Sequence, residues 1–217
     1  MTTRKPIGSN AAIGFRAHSG WAAVIVLSGP PSTPQVLDRR RVELCDPRDP
    51  HSKQPYHAAE PLEFTKAEKL VSGCIASSQK LALQAVQAIV NGLEQQGHRV
   101  PAAAVLCASG RALPELKAIL GSHALIHAAE GEMFRDVLVR ACEQCGVSIT
   151  KIREREVLGT AASSVGLSEV KLQEHLVTLG KQLGPPWTQD EKLATLAAWA
   201  ALTQSSATAS RARARAI

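Results

Sequence analysis

The side chains with chemical reach fall in five short stretches: Arg16, His18 and Ser19; Tyr56 and His57; Arg111; His127, Glu130 and Glu132; and Asp190. A histidine beside a carboxylate can take and return a proton near neutral pH, which makes His18, His57, Glu130 and Asp190 the candidates for acid–base work. Arg16 and Arg111 carry guanidinium forks suited to a phosphate or a carboxylate, and Ser19 and His127 could add hydrogen bonds to the same ligand. Each has a plainer reading. His18 and His57 can be exposed polar residues, Glu130 and Glu132 can favour a helix N-terminus through its dipole, and Asp190 lies in a capping turn. Ser19 lacks the Gly-x-Ser-x-Gly elbow of a hydrolase nucleophile.

Other chemistries are disfavoured. Five cysteines (Cys45, Cys74, Cys107, Cys142, Cys145) make an odd number, mostly in apolar segments, which suits reduced, buried thiols better than a disulfide framework. Cys142 and Cys145 form a C-x-x-C, but no second pair completes a zinc site, and inside a helix that spacing merely puts both sulfurs on one side. No Gly-x-Gly-x-x-Gly follows a strand and no Walker lysine motif is present, so a nucleotide cofactor is not expected.

The elements that must position these groups centre on Pro101 to Ile152. There an apolar run, Ala102 to Cys107, leads into Ala108-Ser109-Gly110-Arg111. Ile126 to Glu132 opens a helix whose Phe134, Val137, Leu138, Ala141 and Cys145 form one apolar stripe. Val147 to Ile152 follows as a strand, so the unit reads as part of an α/β layered domain with parallel neighbours. Leu113 to Leu120 predicts a short helix; Ala124 to Ile126 is either a short strand or the approach to the next helix. Upstream, Ile13 to Gly20 gives way to Trp21 to Leu27, an apolar run fit for a central strand. After the turn at Gly29 to Pro34, Val36 to Leu44 returns as an antiparallel partner. Arg39, Arg40 and Arg41 on that strand could contact phosphates or simply line a solvated edge.

Cys45 to about Phe64, with four prolines, predicts a loop or an edge segment. Thr65 to Gln96 predicts a long helix, with Thr65-Lys66-Ala67-Glu68 at capping-box spacing, Val71, Ile75, Ser78, Ala82, Val86, Ile89 and Leu93 inward, and Gly97 as its stop. Ser168 can cap a helix carrying Leu172, Leu176, Leu179 and Leu183 inward, and Thr188 to Glu191 opens a last helix. Residues 1–10 and the basic tail 205–217 are expected to be disordered, leaving one domain over 11–204.

Of the 217 residues, 45% are hydrophobic, yet the aromatic residues are only three Trp, three Phe and one Tyr, so aliphatic packing must carry the core. The formal charge is +6, of which Arg211, Arg213 and Arg215 supply half. Such a tail can neutralise phosphates without reading sequence, making nucleic acid an admissible partner. No apolar run is long enough to cross a bilayer and Met1 to Pro6 lacks a signal-like stretch, which predicts a cytoplasmic protein with no membrane partner.

The order of elements resembles the RNase H-like fold, and within it looks most like the RuvC-like branch of Holliday-junction resolvases. The similar segments are Ile13 to Trp21, Val147 to Val157 and Asp190 to Ala200. The resemblance implies a three-layer α/β fold, with a mixed sheet starting in an antiparallel hairpin and helices on both faces. It also implies carboxylates holding two divalent cations for attack on a phosphodiester. The chain departs from that pattern: Arg16 stands where the first-strand aspartate is expected and Cys107-Ala108 where a glutamate is expected, while Asp190, with Glu191 beside it, matches the last acidic position. The leading expectation is therefore a nucleic-acid-binding or assembly domain with a degenerate nuclease site and no cofactor. The alternatives are a phosphodiesterase or other hydrolase using His18, His57 and Glu130, and a protein-interaction scaffold. Magnesium or manganese would enter only with nuclease activity.

Overall fold

The computed structural model describes residues 9–108 and 112–214, with side chains up to residue 205. Five strands, β1 (Asn10–His18), β2 (Trp21–Ser28), β3 (Gln35–Glu43), β4 (Arg99–Cys107) and β5 (Ser148–Arg153), form one sheet in the order β3-β2-β1-β4-β5. β1 to β3 form an antiparallel meander, whereas β4 runs parallel to β1 and β5 parallel to β4. The expected mixed sheet with an opening hairpin is therefore present. Its centre, however, is β1 rather than the more apolar Trp21–Leu27 run. β1 pairs along its two edges with β2 and β4, and helices cover both of its faces, so its middle is buried although its C-terminal end is polar.

The period-two alternation of β1 distributes its side chains between two cores. Ile13 and Phe15 face one core with the helices α2 (Phe64–Gln95) and α4 (His123–Gln144). Ala12 faces the other, with α5 (Val157–Val165), α6 (Glu169–Leu183) and α7 (Gln189–Ala214). The result is three layers, with helices on both faces. Two short helices, α1 (Pro55–Ala59) and α3 (Leu116–Leu120), complete the α2/α4 side. The scarce aromatic side chains are used deep inside: Phe15, Phe134 and Trp199 are fully buried.

Several local expectations need correction. α4 starts at His123, so residues 124–126 are helical and Glu130 and Glu132 lie well inside the helix, beyond the first turn where its dipole acts. The proline-rich 45–64 segment is not all loop: Pro55, able to occupy a first-turn position because it needs no N–H partner there, starts α1. The cap of α2 is Glu63, whose side chain accepts from the Thr65 amide, in place of a box begun by Thr65. Ile75 is only partly buried and Cys74 takes the inward position. α5 follows β5 through a 3-10 turn at Glu154–Glu156, where the sequence suggested no helix. α7 continues past residue 204, and residues 1–8 and 215–217 lie outside the described residues.

One glycine sets the distance between sheet and helix. A Cβ on Gly14 would lie 1.9 Å from the Ala194 carbonyl oxygen and 2.4 Å from the Ala198 amide nitrogen of α7. With Ala194, Ala197, Ala198 and Ala201 all buried, α7 rests directly on β1, backbone against backbone. Gly14→Ala should destabilise the protein by about 1–3 kcal/mol, because α7 must move away and open the packing around Trp199. An unchanged denaturation midpoint would show that the helix yields without cost.

Candidate functional site

Because β1, β4 and β5 are parallel, their C-terminal ends share one edge of the sheet, where α/β proteins commonly place ligands. Arg16 and His18 follow Gly14 at steps of two and so extend toward the same face. The register fixed at Gly14 brings the first turn of α7 over them. Thr188 and Glu191 cap that turn reciprocally: the Thr188 amide donates to Glu191 at 2.6 Å and the Glu191 amide to the Thr188 hydroxyl at 3.4 Å. With Glu191 so engaged, Asp190 is the acid that turns to the strand end.

There Arg16 bridges two carboxylates. Its Nη1 donates to Asp190 Oδ1, and its Nε and Nη2 donate in bidentate fashion to Glu154, both at 3.1 Å. Burial works against the Arg16 cation, but the Glu154 hydrogen bonds and charge, reinforced by Asp190, outweigh it and raise its pKa further above the ordinary arginine range. His18 Nε2 lies 2.6 Å from Arg16 Nη1 and 3.1 Å from Asp190 Oδ1. One nitrogen cannot accept from the guanidinium and donate to the carboxylate at once. With its proton on Nδ1, His18 satisfies Arg16; protonated on Nε2, it would serve Asp190 instead. The His18 ring stacks on Trp21 at 4.3 Å and 11°, and the Arg41 guanidinium lies 4.1 Å from the Trp21 ring centre. The ladder His18, Trp21, Arg41 therefore runs across three strands from the ion-pair cluster.

The remaining candidates lie elsewhere. Glu130 is buried on the α4 side of the sheet, and its Oε1 accepts from the amides of Tyr56 and His57 at 2.9 and 3.1 Å and from His57 Nδ1 at 3.2 Å. Burial raises the Glu130 pKa, with the His57 and Tyr56 hydrogen bonds opposing it. His57 stands against His127 and also against His123, a residue the sequence reading overlooked. Glu132 bonds Arg135 and Lys151; burial raises its pKa, but Lys151 outweighs that and holds it below the ordinary value. Ser19 is exposed in the turn between β1 and β2, and Arg111 lies outside the described residues. The expected single constellation thus divides into two groups packed on opposite faces of the sheet, because β1 sends His18 toward α7 while α1 and α4 carry His57 and Glu130 on the other side. A hydrolase that needs His18, His57 and Glu130 in one cleft does not fit this geometry.

Arg39 is absorbed structurally, donating to the Gly184 and Pro186 carbonyls, while Arg40 and Arg41 pair with Asp38 and Glu43. Glu154 was hidden from sequence reasoning inside the Arg153-Glu154-Arg155-Glu156 run, where only its place one residue past β5 distinguishes it.

No protein-family model matches the chain, and no curated protein matches it. Solved structures do. The Thermus thermophilus RuvC structure covers 91% of this chain and 96% of its own at TM-score 0.50 and 10% identity. The fold is RNase H-like, of the RuvC kind. A second structure, T. thermophilus RuvC in complex with Holliday junction substrate, covers 90% of this chain and 92% of its own, at TM-score 0.46 and 14% identity. In this RuvC-like fold the Arg16 cluster stands at the C-terminal end of the first strand, against the entry to the last helix.

No two of the five cysteines are joined, and all but Cys145 are buried. Cys142 is fully buried in α4, and burial pushes its thiol up to about 12, whereas Cys145 at the helix end is partly exposed and raised for the same reason. Alkylation of the native protein at pH 8 should therefore label Cys145 well before Cys142, as read by peptide mass spectrometry. Equal labelling would contradict the burial.

Proposed function

We propose that this RuvC-like domain binds nucleic acid and that its strand-end site is degenerate, holding a fixed guanidinium where a nuclease of this architecture would hold metal ions. The observation that carries the proposal is Arg16 bound to both Glu154 and Asp190. Two carboxylates and one arginine leave a net charge of −1, and arginine cannot shed its proton to make room. Two divalent cations would bring +4 against that, with Cys107 and Ala108 adding no carboxylate at the end of β4. The partner class rests on fold likeness, which is an analogy, together with the basic balance of the chain and the Trp21 ladder beside the site.

Fluorescence anisotropy with labelled four-way junction, duplex and single-stranded DNA provides the test. Affinity should fall steeply as salt rises, and magnesium or manganese should produce no cleavage of the junction. Metal-dependent cleavage abolished by Asp190→Ala would overturn the degenerate reading. Absence of salt-dependent binding to all three probes would leave a protein-interaction scaffold in its place.

The charge argument has its own check. Arg16→Asp replaces the bridging cation with a third carboxylate, so the variant should melt lower than the parent without metal and regain stability with millimolar magnesium, while the parent melts alike in both conditions. A parent stabilised by magnesium as strongly as the variant would mean that Arg16 does not exclude the ion.

A further inference from the structure

The three histidines on the opposite face have no part in the strand-end site, and their arrangement is specific. His123 and His127 are four residues apart on α4, hence on one side of the helix, and both are exposed. Their Nε2 atoms are 3.1 Å apart. His57, presented by α1, approaches them edge-on, with ring centres 5.5 Å from His123 and 4.6 Å from His127. One ring nitrogen from each of the three lies within 4.8 Å of the other two. Imidazole nitrogens bound to a tetrahedral zinc at about 2.0–2.1 Å stand about 3.3 Å from each other. The His123–His127 pair already meets that spacing, and His57 brings a ring nitrogen within 4.8 Å of both.

A second observation points to a ligand. Glu130 Oε1 lies 3.2 Å from Nδ1 of His57; a carboxylate accepting there places the ring proton on Nδ1 and leaves the Nε2 lone pair free for a ligand. A carboxylate behind the far nitrogen of an imidazole is the arrangement that orients histidine ligands and makes them better donors. Glu130 is buried to 3% exposure, costly for a carboxyl, and its Oε2 has no partner among the described residues. One of its oxygens serves the first turn of α1, but the second, Oε2, is left over by that task. The Tyr56 and His57 amides at the start of α1 bind the same Oε1, so the acid also fixes the place from which His57 reaches out.

We infer that His57, His123 and His127 form a three-histidine site for one transition-metal ion of the zinc class, oriented by Glu130 and tying α1 to α4. Neutral imidazoles select zinc, cobalt, nickel or copper over magnesium and calcium. The exposed side of His123 and His127 leaves a fourth coordination position to water or an exogenous anion, as in zinc sites that are not closed by protein. Glu130 is a positioning residue in this assignment and does not itself bind the metal.

The experiment uses the untagged full chain, stripped with chelator and titrated with zinc by calorimetry, with cobalt as a spectroscopic probe. One zinc per chain should bind. His127→Ala and His123→Ala should each weaken it by at least about 100-fold while leaving the metal-free circular dichroism spectrum and melting temperature unchanged, since both side chains are exposed. Glu130→Gln, which keeps all three imidazoles, should weaken binding by about 10- to 100-fold. The cobalt-loaded protein should absorb in the visible without a thiolate charge-transfer band in the near ultraviolet, a readout that holds even if a variant folds poorly. No stoichiometric zinc binding at about 100 μM protein would overturn the assignment and reduce the triad to hydrogen-bonded surface histidines. So would parental affinity in the double variant His123→Ala/His127→Ala, or a thiolate band, either of which would move the metal to other residues.

Discussion

The closeness of α7 to β1 governs what this molecule can do. With no side chain at Gly14, the helix backbone contacts the strand backbone, and that contact fixes both the height and the rotation of α7 over the sheet. From there little freedom remains. Asp190 begins the helix, Arg16 and His18 end the strand on the same face, and the two must meet. A larger residue at position 14 would lift the helix, and the ion-pair cluster would lose one wall before any of its own residues were altered.

The sheet separates two chemistries that the sequence alone invites one to combine. On the α7 side, charges are matched and mutually held: a guanidinium between two acids, with a histidine whose one contacting nitrogen is claimed by neighbours of opposite demand. On the α4 side, a buried carboxyl lies behind a half-buried imidazole, His57, and two exposed ones, His123 and His127. The first arrangement is closed by its own partners, and the second is open to solvent. That contrast follows from burial and geometry, and residue type gives no hint of it, since histidines and acids occur on both sides.

What could be read from the sequence was periodic or local. The apolar steps of three and four in α2 and α4, the caps at Ser168 and Thr188, and the β-rich runs flanking the centre all depend on neighbours within a few residues, and they appear in the structure close to where they were expected. The element order was enough to suggest the RNase H-like architecture. The start of α4 escaped because His123 to Ala128 has no strong apolar stripe and Gly131 interrupts the pattern. α1 escaped because its prolines read as loop, when one of them initiates the helix. The pairings escaped for a different reason. Arg16 is separated from Asp190 by 174 positions and His57 from Glu130 by 73, and no local pattern carries such distances. The His123-x-x-x-His127 spacing was visible, but it means something only once both residues are known to be helical.

The strand order has one more consequence. The sheet ends on β3 at one side and β5 at the other, leaving two rows of backbone groups with no strand beside them among the described residues. β3 lines its margin with Arg39, Arg40 and Arg41, and β5 is six residues long and carries Lys151 and Arg153. These cations are matched on their own chain, Arg40 by Asp38, Arg41 by Glu43, Lys151 by Glu132 and Asp136, and Arg153 by Glu156, so each margin is lined with long charged side chains in ion pairs. Charged side chains along an edge strand are a device by which sheets resist adding a further strand.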